Sequence, residues 1–437
     1  MDVVVAGAGL AGLTAARHLA AGGATVECLD AADRVGGRVA TRTVEGFTLD
    51  RGFQVLFTGY PAVRRDLDLE ALSLRRFAPG ATIAAPNHRS TLSDPLGDPA
   101  GAVPTLLNRD VTMGDKLRLF RLRRELAGRD PEERFAGDET SIRRYLEQRG
   151  FSAGFIELFA EPFYGGITLD RSLSTSSHVF EYTFEMLSTG DAAVPADGMG
   201  AIPAQLRWRA ETAGAAVETD RTVTGVTTEG DGVVVETDRT VTGVTTEGDG
   251  VVVETEAASR SADAAVVATD PQAAADLTGV DAPSDARGCV TVHCSLPTHQ
   301  QLDTGARILL NAADDRPNTV APMSAAAPEY APEDRQLLAA TFLGEQAADD
   351  DTLGGTVRDA LAAWYPENHF GELDVVGVDR VPFAQFAQPP GFRDDLPAID
   401  APAGPVYLAG DHTQWSSIQA ALDSGRAAAE AVQTDLE

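Results

Sequence analysis

The run Gly7-Ala8-Gly9-Leu10-Ala11-Gly12, taken with Asp30, is the first set of residues whose types and spacing could do chemistry. A G-x-G-x-x-G run by itself is weak evidence, but here the context is right. It follows Val3-Val4-Val5, a short apolar run that predicts a buried strand. It opens a stretch with Leu13, Ala16, Leu19 and Ala20 on one face, which predicts a helix ending at Gly22-Gly23. A second strand, Ala24 to Leu29, ends at Asp30, eighteen residues beyond Gly12. In such a βαβ start Gly7 permits the tight turn, and Gly9 lets the backbone approach a pyrophosphate resting on the helix N-terminus. Gly12 allows close helix–strand packing. Asp30 is placed to accept hydrogen bonds from a ribose 2′-hydroxyl, and its charge would repel a 2′-phosphate, which disfavours NADP.

A second set follows at once: Asp30-Ala31-Ala32-Asp33-Arg34-Val35-Gly36-Gly37-Arg38, then Asp50-Arg51-Gly52-Phe53. An acid followed by R-x-G-G-R and then a D-x-G turn resembles the N-terminal pattern of the flavin amine oxidase and carotenoid (phytoene) desaturase superfamily of FAD proteins. By that resemblance Arg34 and Arg38 border the diphosphate and ribityl chain. Gly36 and Gly37 admit close backbone approach, and Gly52 and Phe53 lie near the isoalloxazine ring. Leu10, Ala11 and Ala31 join the same cofactor set. The C-terminal Leu408-Ala-Gly410-Asp411-His412-Thr413, with Ser417-Ile418-Gln-Ala-Ala421, resembles the family's closing motif. Asp411 would bind a ribityl hydroxyl, and the helix opening near Ser417 would aim its positive end at the flavin N1/C2=O edge, favouring negative charge on the reduced ring. Pro195–Pro203 and Ala264–Thr269 match further expected segments and bring in Thr269. Val223 aligns with the strand that contacts adenine, with Val241 as its rival. These segments cover roughly a quarter of the chain, in the expected order at both ends. The implied cofactor is non-covalent FAD, because no cysteine follows Cys294 to attach it.

The substrate side departs from the family's amine oxidases, which hold a water at flavin N5 with a lysine. The only lysine here is Lys116, in the wrong region, and Cys289 stands at the aligned position. Ser417 replaces the second of the two tyrosines that flank the flavin face in those enzymes. Gly410-Asp-His-Thr-Gln looks more like the desaturase branch. Phe159, Phe163, Tyr164, Phe180, Tyr182 and Phe184 supply aromatic surface for a hydrophobic, isoprenoid-like substrate, or else ordinary core packing. His412 is the one catalytic candidate, as a general base or, with more weight, as a support for the ribityl contact. Cys289, His293, Cys294 and His299 fit no common zinc spacing, and no metal is expected.

The elements that must position these residues imply an α/β fold: a discontinuous Rossmann-like FAD-binding domain with an inserted α+β substrate domain. The expected segments are 1–80, 195–285 and 396–437 for the cofactor, 81–194 for a mainly helical substrate part and 286–395 for a sheet part. One segment is unusual. Glu218–Val235 and Glu236–Val253 are the same eighteen letters, ETDRTVTGVTTEGDGVVV. Each copy alternates β-branched residues around Gly-Asp-Gly, a hairpin signal, so a duplicated hairpin could be added at a sheet edge without register damage. The acidic run Asp349-Asp350-Asp351 reads as a solvated helix lead-in.

The chain has 437 residues, with 35 Lys+Arg against 66 Asp+Glu, a formal charge of −31. That balance disfavours a nucleic-acid binder, and it equally disfavours docking on anionic lipid by overall charge. Acid-rich, lysine-poor composition resembles that of proteins from extreme halophiles, where dense salt screens the repulsion. Three cysteines without a C-x-x-C argue against a disulfide framework. No apolar run reaches the ~18 residues of a membrane span, and a first strand at Asp2 leaves no room for a targeting segment, so a cytoplasmic location is expected. The expected reaction is hydride transfer from a substrate C–H to flavin N5 in a desaturase-like enzyme. An amine or protoporphyrinogen oxidase and a redox-neutral FAD-dependent isomerase are the alternatives. The expected partners are a small apolar substrate and an electron acceptor the sequence does not choose, with any peripheral membrane contact coming through apolar loops.

Overall fold

The structure, a computed structural model, describes residues 1–93, 105, 108–127, 129, 134–229, 232–238, 241–246, 251–255, 258–300 and 302–436. Three separated stretches of chain build one parallel sheet. Its order is Ala216–Glu218, Thr25–Leu29, Asp2–Ala6, Ala264–Val267, Val406–Leu408. Asp2–Ala6 is central and covered on both faces, which is why its sequence is a continuous apolar run rather than an alternation. The helix Leu10–Ala21 packs on this sheet, and the C-terminal helix Ile418–Leu436 packs on that helix in turn. Their approach is so close that a Cβ at Gly425 would lie 2.1 Å from the Ala11 carbonyl oxygen.

A second sheet has seven strands, in the order Asp374–Phe386, Ala286–Pro297, Arg335–Leu343, Thr319–Ala321, Ile308–Asn311, Ala81–Ala85, His88–Leu92. All neighbours are antiparallel except Ile308–Asn311 with Ala81–Ala85. Along Ala286–Pro297 the residues alternate as a two-sided strand must. Val290, Val292, Cys294 and Leu296 pack with Leu353, Val357, Leu361 and Trp364 of the helix Asp350–Trp364. Cys289 and Thr291 take the other face, where the Thr291 hydroxyl accepts the Phe53 N–H at 3.3 Å. The segment 81–194, expected to be mainly helical, also contributes two strands to this sheet. The hairpin 81–92, expected in the helical part, completes the substrate-side sheet, because its partner strand at 308–311 lies more than two hundred residues away.

The helical layer holds Met113–Leu126, Ile142–Gln148, a run from Ala153 to Thr168 with a wide turn at Ile156–Ala160, and Ser177–Thr189. Phe151, Phe155, Phe159 and Phe163 stack in sequence along that run, with ring centres 4.7, 5.4 and 5.1 Å apart. Asp349 caps the helix that follows it by accepting the Thr352 N–H at 2.8 Å.

Both copies of the eighteen-residue repeat form hairpins in one register. Val226 faces Val235 in the first and Val244 faces Val253 in the second, with the same irregularity before Gly225 and Gly243. The first hairpin is joined by Ala258–Ala262 into a three-stranded sheet, whereas the second is a two-stranded sheet of its own.

Candidate active site

The carboxyl ends of the parallel strands open onto a cavity of about 1620 Å³ that continues to the helical layer. This is larger than the roughly 300–1,000 Å³ of an ordinary small-molecule site. Its first half is lined by Gly7, Gly9, Leu10, Ala11, Asp30, Ala31, Gly36, Gly37, Arg38, Thr222, Val223, Thr269, Gly410, Asp411, Ser417, Ile418 and Ala421, with Gly52 and Phe53 at its inner end. Most of the expected cofactor set is therefore gathered in one place from three parts of the chain.

The glycines divide by role. Gly7 has φ +102°, and a Cβ there would meet the Ala268 carbonyl oxygen at 2.6 Å. A Cβ on Gly12 would lie 1.8 Å from the Gly7 oxygen, so Gly12 serves packing and does not line the cavity. A Cβ on Gly9 would meet nothing within 4 Å; it would project into the open space. Open room above a helix N-terminus with free N–H groups is a cradle that fits a dinucleotide's diphosphate.

Asp30 accepts the Ala8 N–H at 2.7 Å and the Ala32 N–H at 2.9 Å, which fixes its carboxylate at the cavity wall with lone pairs to spare. Burial raises its pKa, and those two N–H groups oppose the rise. Arg38 donates to Asp411 at 2.6 Å and to the Ala384 carbonyl at 3.0 Å. The second Asp411 oxygen accepts the Ser416 hydroxyl at 2.9 Å. Burial alone would push the Asp411 carboxyl up, but the Arg38 charge and hydrogen bond, with His412 and Ser416, hold it below the usual range. Ser417 caps the C-terminal helix through the Ala420 N–H at 3.0 Å, and the first turn of that helix faces the cavity.

Two expectations are corrected. Arg34 does not reach the cavity; its side chain is exposed and pairs with the equally exposed Asp33 at 3.3 Å. His412 is buried beneath Gly410, where a Cβ would strike its ring at 2.4 Å, and it does not line the cavity. Neither of its ring nitrogens has a hydrogen-bond partner, and burial pushes its pKa below that of free imidazole. It sits under the Asp411 loop, away from the cavity wall, which corrects the general-base reading and leaves the weightier one, a support for that loop, as an expectation. Of the two repeat copies, Val223 lines the cavity and Val241 lies in the second hairpin.

The sequence missed several wall residues. Trp415 packs edge-on to Tyr60 and Tyr182, with ring centres 6.2 and 5.0 Å away, so an aromatic wall arises two residues before Ser417. Asp50, quoted only for its motif, is buried and accepts the Thr41 hydroxyl, the Met199 N–H and the Tyr330 hydroxyl at 2.5, 2.8 and 2.9 Å. That locks the Gly52 turn to the segment around Met199. Asp270, the cap of the helix Pro271–Thr278, also lines the cavity, and its place after a buried strand was the available signal.

The second half of the cavity is apolar: Leu119, Phe120, Phe159, Phe163, Tyr164, Ile167, Val179, Phe184, Leu187, Ile308 and Leu310. Between the halves stand Cys289, Thr341 and Val381. Burial, helped by Asp379, pushes the Cys289 thiol up to about 11, so it is neutral at physiological pH. The Thr341 hydroxyl is buried without a protein partner. Lys116 lines the far end, at the helix Met113–Leu126.

Comparison with known proteins agrees with this geometry. The model of the family described as flavin containing amine oxidoreductase matches residues 10–433. A putrescine oxidase from Kocuria rosea is 60% identical over 53 residues, covering 12% of this chain and 11% of that protein. A 4,4′-diapolycopene oxygenase from a Methylomonas species is 44% identical over 66 residues, covering 13% of each. The chain thus matches only a small fraction of the length of these curated relatives. An oxidoreductase structure from Methanosarcina mazei superposes over 98% of this chain and 100% of that one, with a TM-score of 0.71 at 18% identity, a likeness of fold.

Proposed function

The chain belongs to the flavin-containing amine oxidoreductase family and is an FAD-dependent oxidoreductase, and within that family we propose that it oxidises a C–H bond of a long apolar, isoprenoid-like substrate rather than an amine. FAD, when bound, supplies the hydride acceptor for this chemistry. The observation that carries the reading is the second half of the cavity, walled by aromatic and aliphatic side chains out to Phe120. Among the described residues the one carboxylate on the cavity wall outside the Asp30, Asp270 and Asp411 group is that of Asp191, which is already paired with Arg76 at 2.7 Å. Among the described residues an ammonium group would find no free anion along that path, and desolvating it there would be costly.

The chain's own residues account for orientation and water exclusion. The glycine cradle and Asp30 support a diphosphate and a ribose, Arg38 and Asp411 hold the inner cofactor half, and the Ile418–Leu436 helix turns its positive end toward the cavity. Cys289 offers a neutral thiol where an amine-type site would hold a lysine, so no ionisable base faces the substrate path at that point. Tyr60, Trp415 and Phe57 close the wall and keep the reacting carbon dry.

The test is anaerobic titration of the holoenzyme with detergent-solubilised acyclic polyenes and, separately, with putrescine, following the visible flavin bands. Bleaching by the polyene and not by the diamine is expected. Bleaching by putrescine alone would overturn the reading.

A further inference from the structure

Overall charge argues against lipid docking, yet one element reverses it. The helix Met113–Leu126 carries Lys116, Arg118, Arg121, Arg123 and Arg124 against Asp115 and Glu125, in a chain whose formal charge is −31. Asp115 is buried as a capping-box partner of Thr112 and pairs with Arg118 at 3.6 Å, so the exposed arginines of the helix are Arg121 and Arg124. On the same helix Met113, Leu117 and Phe120 are 54, 55 and 52% exposed. At 3.6 residues per turn they share roughly 60° of arc. Among the described residues the other large apolar side chains so exposed are Met1 and Leu436 near the chain ends and an isolated Trp208. The opposite side is anchored by Leu122 and Leu126 in the aromatic core. Met113, Lys116 and Phe120 also wall the cavity, so the exposed apolar strip is continuous with the apolar path inside.

We propose that this helix lies in the surface of an anionic phospholipid bilayer, with Met113, Leu117 and Phe120 inserted and the arginines at the headgroups, so that substrate passes from lipid into the cavity without crossing water. The inference rests on the apolar-substrate reading above. The occupant is set by charge complementarity: a cationic, apolar strip on an acidic protein admits an anionic layer at this face and repels it elsewhere. Among the described residues no helix is long and apolar enough to cross a membrane, so the contact is peripheral.

The experiment is sedimentation of the holoprotein with vesicles of equal parts phosphatidylglycerol and phosphatidylcholine. The expected result is binding that Leu117→Asp weakens roughly tenfold or more, that Arg121→Glu with Arg124→Glu weakens as strongly, and that Trp208→Ser leaves unchanged. Retention of flavin by each variant confirms its fold. Wild-type protein that stays in the supernatant overturns the proposal. So does lipid binding indifferent to Leu117→Asp while that substitution dissociates a dimer, which would assign the strip to a second copy of the chain. Vesicle binding is read without turnover and polyene oxidation in detergent without vesicles, so failure of the docking and failure of the substrate reading are told apart.

Discussion

Arg38 and Asp411 lie 373 residues apart in the chain and 2.6 Å apart in the fold, joining the loop after Gly37 to the loop after Gly410. Both residues line the cavity beside the expected cofactor set, and Asp411 is almost fully buried. Asp411→Asn keeps the shape and removes the charge. Hydrogen bonds to charged groups contribute about 1.5–3 kcal/mol, so FAD should bind roughly ten- to a hundredfold more weakly. Fluorescence titration of the apoprotein measures this, and unchanged affinity would remove the pair from the cofactor site. The pH dependence has a definite sign. Asp411 is held below its ordinary value, so the stability it contributes is complete above about pH 4 and is lost as pH falls through the lower folded value.

His412 makes the neighbouring pH prediction in a different window. Its folded pKa lies below that of free imidazole because burial disfavours the cation. The unfolded chain therefore binds a proton that the folded chain refuses. Stability is complete above about pH 6.5 and declines as pH falls below it, until the folded value is reached. His412→Gln should flatten that part of a Tm-against-pH curve relative to wild type. Parallel curves would mean that the ring titrates alike in the folded and unfolded chain and is not desolvated in the fold.

Gly9 and Gly12 belong to one motif yet should fail in opposite ways. Gly12→Ala drives a Cβ to within 1.8 Å of the Gly7 oxygen and should cost about 1–3 kcal/mol of stability or more, seen as a lowered Tm of the apoprotein. Gly9→Ala meets no protein atom within 4 Å, so the apoprotein should melt as wild type does. Its methyl group occupies the diphosphate space, so FAD affinity should fall instead. If both variants lost stability alike, the open space over Gly9 would have no ligand role.

What could be read in the sequence follows from how far apart the interacting residues are. Gly7, Gly9, Gly12 and Asp30 encode a turn and a helix start within thirty residues, and the structure places them as that spacing implies. Arg34 followed the same motif logic and failed, because a neighbouring acid, Asp33, competes for it on the open surface. The hairpin 81–92 was assigned to the helical part because its partner at 308–311 leaves no local signal. Trp415 was overlooked because its role depends on Tyr60 and Tyr182, which only the fold brings to it. The exposed strip on Met113–Leu126 is hidden for a related reason: whole-chain charge averages over a helix that carries five basic residues against two acidic ones.

The repeat gives a prediction that needs both sequence and register. Deleting residues 236–253 removes one copy and joins Val235 to Glu254-Thr255, the same two letters as the Glu236-Thr237 they replace. In the fold Thr237 pairs with Ala258, so after deletion its substitute Thr255 would pair with Ala258 across Glu256 and Ala257. That is a two-residue hairpin loop, the commonest length, although Glu-Ala lacks the Asn-Gly chemistry such a turn prefers. The three-stranded sheet keeps its register, and Val223 keeps its place on the cavity wall. The shortened protein should therefore fold, retain FAD with unchanged affinity and lose at most a few degrees of Tm, for about 1 kcal/mol of turn strain. Loss of FAD binding on deletion would show that the second hairpin supports the adenine side of the site rather than extending the sheet as a passive duplication.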